Sequence, residues 1–371
     1  MTATAARTLR SIALSLALLG PSVGVFAQDR AFDFALIGDM PYTVVQEKEY
    51  QRVLSALNAN DLASVVHVGD FQADPRVYNP NPARSSMPCV DENHQAIFDS
   101  FQTVRHPLIF TPGDNDWSDC WLLQARKVDP LERLAKIRAM FFPEGKSLGQ
   151  RPMAVRQQSA DPAFSMFREN LRWTAGGVLF VTLHTVGHND NFGRTPEMDA
   201  EHLERKSANL AWIRQAFAEA RATNILGLVF LTQANPRFET SWRDAVRRNY
   251  FYQAAPPAPP APPAPPPPPA SPPPPQSSPT LAFDDYLRAL SLELETYGKP
   301  VAYLHGDTHT FRIDKPLFSR KTNRVFQNFT RVETFGWQDS HWVRVTVDPA
   351  DPQLFRFKAE VVQGNTVNAE R

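Results

Sequence analysis

Four aspartates in this chain follow directly after short apolar runs, and each is preceded by glycine. The sequences are IGD, VGD, PGD and HGD, which end at Asp39, Asp70, Asp114 and Asp307. In an open α/β sheet, side chains that follow the carboxyl ends of strands come together in one crevice. Carboxylates gathered there repel one another unless a cation lies between them. The pattern therefore predicts a metal site.

The third of these sequences, TPGDNDWSDC, contains further acids at Asp116 and Asp119 and an amide at Asn115. Taken alone, it is typical of an acidic surface turn, because Asp, Asn and Gly are common turn residues. The Gly-Asp pair recurs at four predicted strand ends, however, and this repetition favours a metal site over a surface turn.

The elements that would position these acids alternate between strands and helices. Amphipathic spacing predicts helices at 46–59, 130–142, 199–222 and 282–297. Apolar runs predict strands at 32–38, 64–69, 106–110, 177–184, 225–232 and 301–304. Three more predicted strands, at 325–335, 341–347 and 354–362, have no helices between them. This order indicates an α/β sheet protein with helices outside the sheet.

The order of the motifs resembles that of the calcineurin-like metallophosphoesterase superfamily, which carries DxH, GDxx(D/N), GNH(D/E), a lone His after a strand, and GHxH. The matching segments here are Asp39-Met40-Pro41, Gly69-Asp70-Phe71-Gln72, Gly113-Asp114-Asn115-Asp116, Gln233 and Gly306-Asp307-Thr308-His309. The resemblance implies an αββα sandwich, within the α/β class, that holds its metal site at the carboxyl ends of strands. It spans nearly all of 28–371, which is predicted to be a single domain.

The resemblance also implies two divalent metal ions. One ion would be held by Asp39, Asp70 and His309, and Asp70 would bridge to the second. The full implied ligand set is Asp39, Asp70, Asp114, Gln233, Asp307 and His309.

The chain departs from the family pattern mainly where the family has histidine. Pro41, Asn115, Gln233 and Asp307 stand at those positions, and all except proline can still offer an oxygen. Oxygen-rich sites suit Mg²⁺, Mn²⁺ or Ca²⁺, whereas imidazole suits Zn²⁺ and Fe. Mn²⁺ or Mg²⁺ is therefore the favoured metal, with Ca²⁺, Zn²⁺ and Fe as alternatives.

The activity that the resemblance implies is hydrolysis of phosphate esters by water activated between two metal ions. Asn115 matches the family's histidine that faces the phosphate. His188, after the strand at 177–184, is a second candidate for catalysis or metal contact, and a surface histidine is the other interpretation. The alternative function is an inactive phosphoesterase fold that acts as a binding module. A serine nucleophile is disfavoured because the chain has no GxSxG motif.

The net charge and the N-terminal sequence limit which partners and which cellular compartment the protein is expected to have. The 371 residues include 39 basic and 39 acidic side chains, so net charge gives no reason to bind nucleic acid or an anionic membrane. Arg7 and Arg10, the apolar run 11–20 and the VFA sequence before Gln28 predict a signal peptide at 1–27. The mature protein is then expected to be periplasmic or secreted, without a membrane span.

If the protein is exported, its two cysteines are predicted to form a disulfide. Cys89 and Cys120 are the only cysteines in the sequence, and an oxidising compartment favours a disulfide between them. Two separate buried thiols are the alternative.

The segment 254–279 is almost entirely proline and alanine. Proline lacks an N–H and favours polyproline II, so this segment is not expected to enter a core. We interpret it as a surface insertion in one domain, and a linker between two domains is the alternative. It could bind a protein partner or serve only as a spacer.

Overall fold

The computed structural model describes Met1 and residues 30–73, 89–126, 128–238, 281–319 and 321–367. The predicted signal peptide, apart from Met1, and the proline-rich insertion lie outside these residues. The long α-helices of the described part are α1 (Val44–Ala59), α2 (Asp91–Phe101), α3 (Pro130–Phe141), α4 (Pro196–Ala222) and α5 (Leu281–Leu294).

The strands form two mixed sheets. The first has the order β12-β11-β1-β2-β3, and the second has the order β4-β5-β6-β7-β8-β10-β9. In chain order the strands are β1 (Phe32–Ile37), β2 (Val65–His67), β3 (Leu108–Phe110), β4 (Arg156–Gln157), β5 (Leu171–Ala175), β6 (Val178–Thr182), β7 (Gly227–Leu231), β8 (Val301–His305), β9 (Arg312–Asp314), β10 (Phe329–Glu333), β11 (Trp342–Val347) and β12 (Phe355–Glu360).

The two faces of the second sheet contact different layers. Val178, Phe180 and Val229 belong to a core shared with the first sheet, and the rings of Phe34 and Phe180 meet edge to face at 5.4 Å between centroids. The alternate residues Leu179 and Leu228 instead pack with α4 and α5. Successive strand residues point to opposite faces, so each strand contributes to both cores.

Helices α1, α2 and α3 cover the first sheet, because their apolar residues belong to the same core as its strands. The layers are therefore helix, sheet, sheet and helix, which confirms the αββα sandwich that the motifs implied.

The long helices begin where the sequence provides a cap and a proline. Asp129 accepts a hydrogen bond from the Leu131 amide at the start of α3, at 2.9 Å, and Pro130 is the first helical residue. Thr195 accepts from the Met198 amide in the same way at the start of α4, where Pro196 follows. A cap satisfies an amide that the helix leaves unpaired, and proline lacks the amide at a position where none is needed.

Parallel pairing brings the predicted strand ends together. β1, β2 and β3 run parallel to one another, and β6, β7 and β8 do so in the second sheet. Asp39, Asp70 and Asp114 therefore follow the same edge of the first sheet, and Gln233 and Asp307 follow the corresponding strands of the second sheet.

The predicted disulfide between Cys89 and Cys120 is confirmed, with Cα atoms 6.0 Å apart. Both residues are buried. The bond ties the start of α2 to the segment that follows Asp114. Among the described residues, no helix is both long enough and apolar enough to cross a bilayer.

Two buried histidines predict a loss of stability in acid. Burial lowers the pKa of both His67 and His94 from 6.5 to about 4. Above pH 6.5 both histidines are neutral in the folded and in the unfolded chain, so their protonation does not reduce stability there. Between pH 6.5 and 4 the unfolded chain binds protons that the folded chain does not. Each histidine should therefore lower the free energy of unfolding by roughly 3 kcal/mol over this range.

This loss can be measured as the pH dependence of the free energy of unfolding in denaturant. His94→Leu removes one of the titrating groups, and its stability should fall less than that of the wild type between pH 6.5 and 4. Equal losses in the two proteins would contradict the assignment of a neutral imidazole to His94.

Candidate metal centre

The acid-bearing turns adopt left-handed backbone, which non-glycine residues rarely do. The φ angles are 54° at Asp39, 58° at Asp70, 84° at Asp307 and 59° at His309. Backbone of this kind costs about 1–3 kcal/mol per residue and clusters at functional sites. These four residues are predicted ligands on three of the converging strand ends, and other non-glycine residues of the described part, among them 188–191, also have positive φ.

Hydrogen bonds link these turns directly to one another. The Asp307 amide donates to Asp39 Oδ1 at 3.0 Å, and the Asn115 amide donates to Asp70 Oδ1 at 3.0 Å. His309 Nε2 lies 3.5 Å from Asp39 Oδ1. The structure thus brings ligands predicted from separate motifs into one cluster.

Asp114 belongs to a second group of ligand atoms within the same region. His188 Nδ1 lies 2.6 Å from Asp114 Oδ2 and 3.1 Å from Asp119 Oδ2. One ligand atom from each of these three residues lies within 4.8 Å of the others, a spacing suited to a metal ion. Asp119, to which the sequence analysis gave no ligand role, lies in this group and also pairs with Arg194.

Burial and mutual repulsion perturb the carboxyl groups. Burial raises the pKa of Asp70 well above its usual range, and the charges of Asp114 and Asp116 raise it further. Burial and Asp114 do the same to the pKa of Asp307. The pKa of Asp39 is also raised, by burial first. Because these groups cannot all be charged side by side, the cluster has to bind either protons or cations.

Asp114 is the exception, because it has a cationic partner. Burial would raise its pKa, but the hydrogen bond and charge of His188 prevail, and the pKa of Asp114 is lowered. In return, hydrogen bonds to Asp114 and Asp119 raise the pKa of His188 to about 10. His188 therefore supplies a positive charge at neutral pH.

The residues present fit divalent cations. Asp39 is fully buried, yet its Oδ2 has no hydrogen-bond partner among the described residues. A Cβ at Gly306 would lie 2.0 Å from that oxygen, and a Cβ at Gly187 would lie 2.6 Å from Asp114 Oδ2 and 2.8 Å from an oxygen of Asp307. The glycines thus allow backbone to pack directly against the carboxylates. Carboxylate oxygens are the ligands that Mg²⁺ and Mn²⁺ prefer.

Gln233 lies in the acid cluster, and the side-chain atom that it directs toward Asp70 is the amide nitrogen, not the oxygen. Its Oε1 accepts from the Gly187 amide at 2.8 Å, and its Nε2 donates to Asp70 Oδ2 at 3.1 Å. A backbone amide can only donate, so this contact fixes which end of the side chain carries the oxygen. Here Gln233 orients Asp70, and the ligand role predicted for it would require the amide to turn over.

Asp116 uses its oxygens to hold two motifs together. Its carboxylate accepts from the amides of Gly113 at 2.8 Å, Phe71 at 2.9 Å and Asp70 at 3.0 Å. Burial raises its pKa to about 7, although these amides lower it. The side chain thus fixes the second and third motifs relative to each other.

Tyr42 is a site residue that the sequence analysis did not identify. Its hydroxyl lies 3.3 Å from Asp70 Oδ2 and 3.3 Å from His309 Nε2, and Asn115 Nδ2 donates to it at 3.1 Å. The available signal was its position three residues after Asp39, in the loop that leaves β1. Tyr42 therefore joins three motifs through one atom.

These side chains line a cavity of about 270 Å³. Both candidate catalytic residues, Asn115 and His188, are on its wall, Asn115 almost buried and His188 44% exposed. The other lining residues are Tyr42, Thr43, Asp70, Ala73, Asp114, Asp307, His309 and Trp337. The acid cluster is thus open to a small ligand.

His188 begins a left-handed turn that a buried ion pair supports. Residues 188–191 all have positive φ, from 45° to 66°. Asp190 accepts from the Val186 amide at 3.0 Å and pairs with the fully buried Arg205. Arg205 also donates to the His184 and Asp190 carbonyls, each at 3.0 Å. This network holds the turn that presents His188 to Asp114.

Comparison with known proteins gives matches among solved structures alone. No family profile matches the chain, and no curated protein matches it. Among solved structures it is similar to that of PhoD, with 14% sequence identity and a TM-score of 0.46. The match covers 86% of this chain and 64% of that one. The chain therefore spans slightly less than two thirds of the length of PhoD.

Two further structures match at lower TM-scores. "GAP50 the anchor in the inner membrane complex of Plasmodium" matches with 9% identity, a TM-score of 0.40 and 89% coverage of both chains. The 5'-nucleotidase from Candida albicans matches with 10% identity, a TM-score of 0.35, and coverage of 89% of this chain and 52% of that one.

The layer order and the strand-end acids are the features by which the chain resembles the superfamily. The αββα sandwich places Asp39, Asp70, Asp114 and Asp307 together at one end of its two sheets. The chain therefore has an αββα fold that resembles the metallophosphoesterase type, and several positions that hold histidine in that superfamily carry other residues here.

Proposed function

We propose that this protein is a metal-dependent phosphoric ester hydrolase. The observation that carries the proposal is the buried Asp39 Oδ2, which has no hydrogen-bond partner among the described residues and lies within a cluster of buried acids. A buried charged oxygen without a partner is costly, and a bound cation would satisfy it.

The chain's residues have distinct roles in this proposal. Asp39, Asp70 and His309 would hold one ion, and Asp70, Asp114 and Asp307 would hold the other. When bound, divalent cations supply positive charge for the phosphate and lower the pKa of water. Asn115 and His188 face the cavity and orient the phosphate, the first through its amide and the second through its charge. Tyr42 and Gln233 hold Asp70 in position.

Export is part of the proposal. A buried disulfide is typical of proteins from oxidising compartments, which supports the predicted periplasmic or secreted location. A phosphorylated substrate is the proposed partner. Binding of a partner by the proline-rich segment stays a prediction.

A binding module without catalysis is the second candidate, and one observation favours it. His188 already contacts Asp114 Oδ2 at 2.6 Å and lies 3.1 Å from Asp119 Oδ2, and Gln233 turns its nitrogen toward Asp70. Protein groups therefore occupy part of the coordination that a second ion would need.

Metal addition distinguishes the candidates. Mn²⁺ or Mg²⁺ added to chelator-treated protein should raise the melting temperature by several degrees, because ligand at a hundred times its Kd stabilises by about 2.7 kcal/mol. The same ions should start hydrolysis of a panel of phosphate monoesters and diesters. Calorimetry and phosphate release measure the two effects.

Each outcome has a distinct meaning. Stabilisation together with hydrolysis supports the enzyme, and stabilisation without hydrolysis of any ester supports the binding module. The absence of any metal response would contradict the metal centre itself.

A further inference from the structure

One aromatic side chain on the cavity wall has no role in holding metal. Trp337 is 43% exposed and lines the same cavity as Asp70 and Asp114. Single exposed apolar side chains are ordinary on protein surfaces. Of the large apolar side chains that are exposed in the described part of the chain, however, Trp337 is the one that lines this cavity.

The backbone beside Trp337 packs directly on the acid cluster. A Cβ at Gly336 would lie 2.7 Å from His309 Cδ2 and 2.8 Å from Asp39 Cβ. The indole ring itself meets the His309 ring edge to face, with 6.4 Å between centroids. A ligand bound at the cluster would therefore reach Trp337 with an adjoining group.

The loop that carries Trp337 is anchored on both sides. Before it, Phe335 stacks on Phe311 with ring centroids 4.8 Å apart and planes inclined by 8°. After it, the buried Ser340 hydroxyl accepts from Gln46 Nε2 at 3.2 Å and donates to Glu49 Oε2 at 2.8 Å. Because contacts anchor both flanks of the loop without any ligand, stacking on Trp337 would require little ordering of the chain.

The cavity combines a charged part with an aromatic part. Its acids would hold cations for a phosphate, while Trp337, Tyr42 and Ala73 offer apolar surface. The volume of about 270 Å³ lies just below the usual range for ligand pockets, which is about 300–1,000 Å³. This favours a small ester with one ring over an extended substrate.

We propose that Trp337 forms a stacking surface for the alcohol part of the substrate, and that the preferred substrates are phosphate esters of small aromatic alcohols. The inference rests on the proposed hydrolase function. Indole rings bind flat rings by stacking and by burial of apolar area, which a short alkyl group cannot match.

A pair of matched esters tests this preference. Benzyl phosphate and ethyl phosphate leave alcohols of similar acidity, but benzyl phosphate alone carries a ring. With Mn²⁺ present, Trp337→Ala should raise KM for benzyl phosphate about five- to tenfold and leave KM for ethyl phosphate within about twofold. Trp337→Phe should retain most of the benzyl preference. Leu292→Ala, at an exposed position of α5, is the control and should change neither KM.

A binding measurement separates the failure of this inference from failure of the hydrolase proposal. Phenylphosphonate and methylphosphonate are not hydrolysed at an ester bond, and calorimetry on the Mn²⁺-treated protein gives their affinities. Tighter binding of phenylphosphonate that Trp337→Ala abolishes would support the stacking surface, even if no ester is hydrolysed. Equal affinities, or equal losses for both esters in Trp337→Ala, would overturn it while leaving any observed hydrolysis intact.

Discussion

Asp70→Asn should abolish both phosphate ester hydrolysis and stabilisation by metal. Asp70 Oδ1 accepts from the Asn115 amide, and its Oδ2 accepts from Tyr42 and Gln233. An asparagine would turn an NH₂ group toward one of these donors and would carry no charge for either ion. Loss of an outer-shell partner already reduces metal affinity or activity ten- to a hundredfold, so we expect a loss of more than about a hundredfold here.

The same substitution should not destabilise the metal-free protein to a comparable extent. Burial and the charges of Asp114 and Asp116 raise the pKa of Asp70 well above its usual range, so the folded metal-free protein disfavours the charged form of this side chain. Asparagine resembles the uncharged form. The melting temperature measured with and without Mn²⁺ separates the two effects.

Two other acids serve as comparisons. Asp61→Asn changes an exposed aspartate and should alter neither hydrolysis nor the metal response. Asp116→Asn should lower the melting temperature, because three backbone amides depend on Asp116, yet metal should still stabilise the variant. If Asp70→Asn kept the full metal response while Asp116→Asn lost it, the assignment of ligands would be wrong.

Arg205→Met should give the largest loss of stability. Arg205 is fully buried and pairs with Asp190 and Glu201, so its removal takes the guanidinium from two carboxylates and leaves Asp190 with His202 as its remaining ion-pair partner. Breaking a buried ion pair from one side typically lowers the free energy of unfolding by about 3–5 kcal/mol. Denaturant titration measures this loss. The turn that carries His188 depends on Asp190, so hydrolysis should fall at temperatures where the variant is still folded.

Arg221→Met is the matched control. Arg221 pairs with Glu293 between α4 and α5, and its side chain is 37% exposed. A surface pair of this kind contributes about 0–1 kcal/mol. Similar losses of unfolding free energy in the two variants would show that the Arg205 network contributes no more to stability than a surface ion pair.

The sequence by itself determined most of the elements and the identity of the acids. β1, β6, β7 and β8 were predicted to within a few residues, because each is an apolar run that ends at a polar turn. The amphipathic spacing that predicts a helix at 199–222 was likewise confirmed, although α4 begins earlier, at Pro196. These features depend on neighbours along the chain, which a sequence displays directly.

Some elements escaped prediction because their signals are weak or their partners distant. The mixed polar composition of α2, DENHQAIFDSF, kept it from being recognised as a helix. β5 was missed although a Gly-Gly pair at 176–177 joins it to β6 in a hairpin. The predicted strand at 325–335 begins only at Phe329, because β10 extends only where it pairs with β8 and β9.

Only the tertiary structure decided the order of the strands and the directions of the side chains at the site. β11 pairs antiparallel with β1, across some 300 residues of sequence, and no local pattern specifies that partner. Tyr42 enters the cluster because its hydroxyl meets Asp70, Asn115 and His309. The nitrogen of Gln233 faces Asp70 because the Gly187 amide must donate to its oxygen. A sequence specifies which groups can bind, but hydrogen-bond direction is fixed by partners that only folding brings within 3 Å or so of one another.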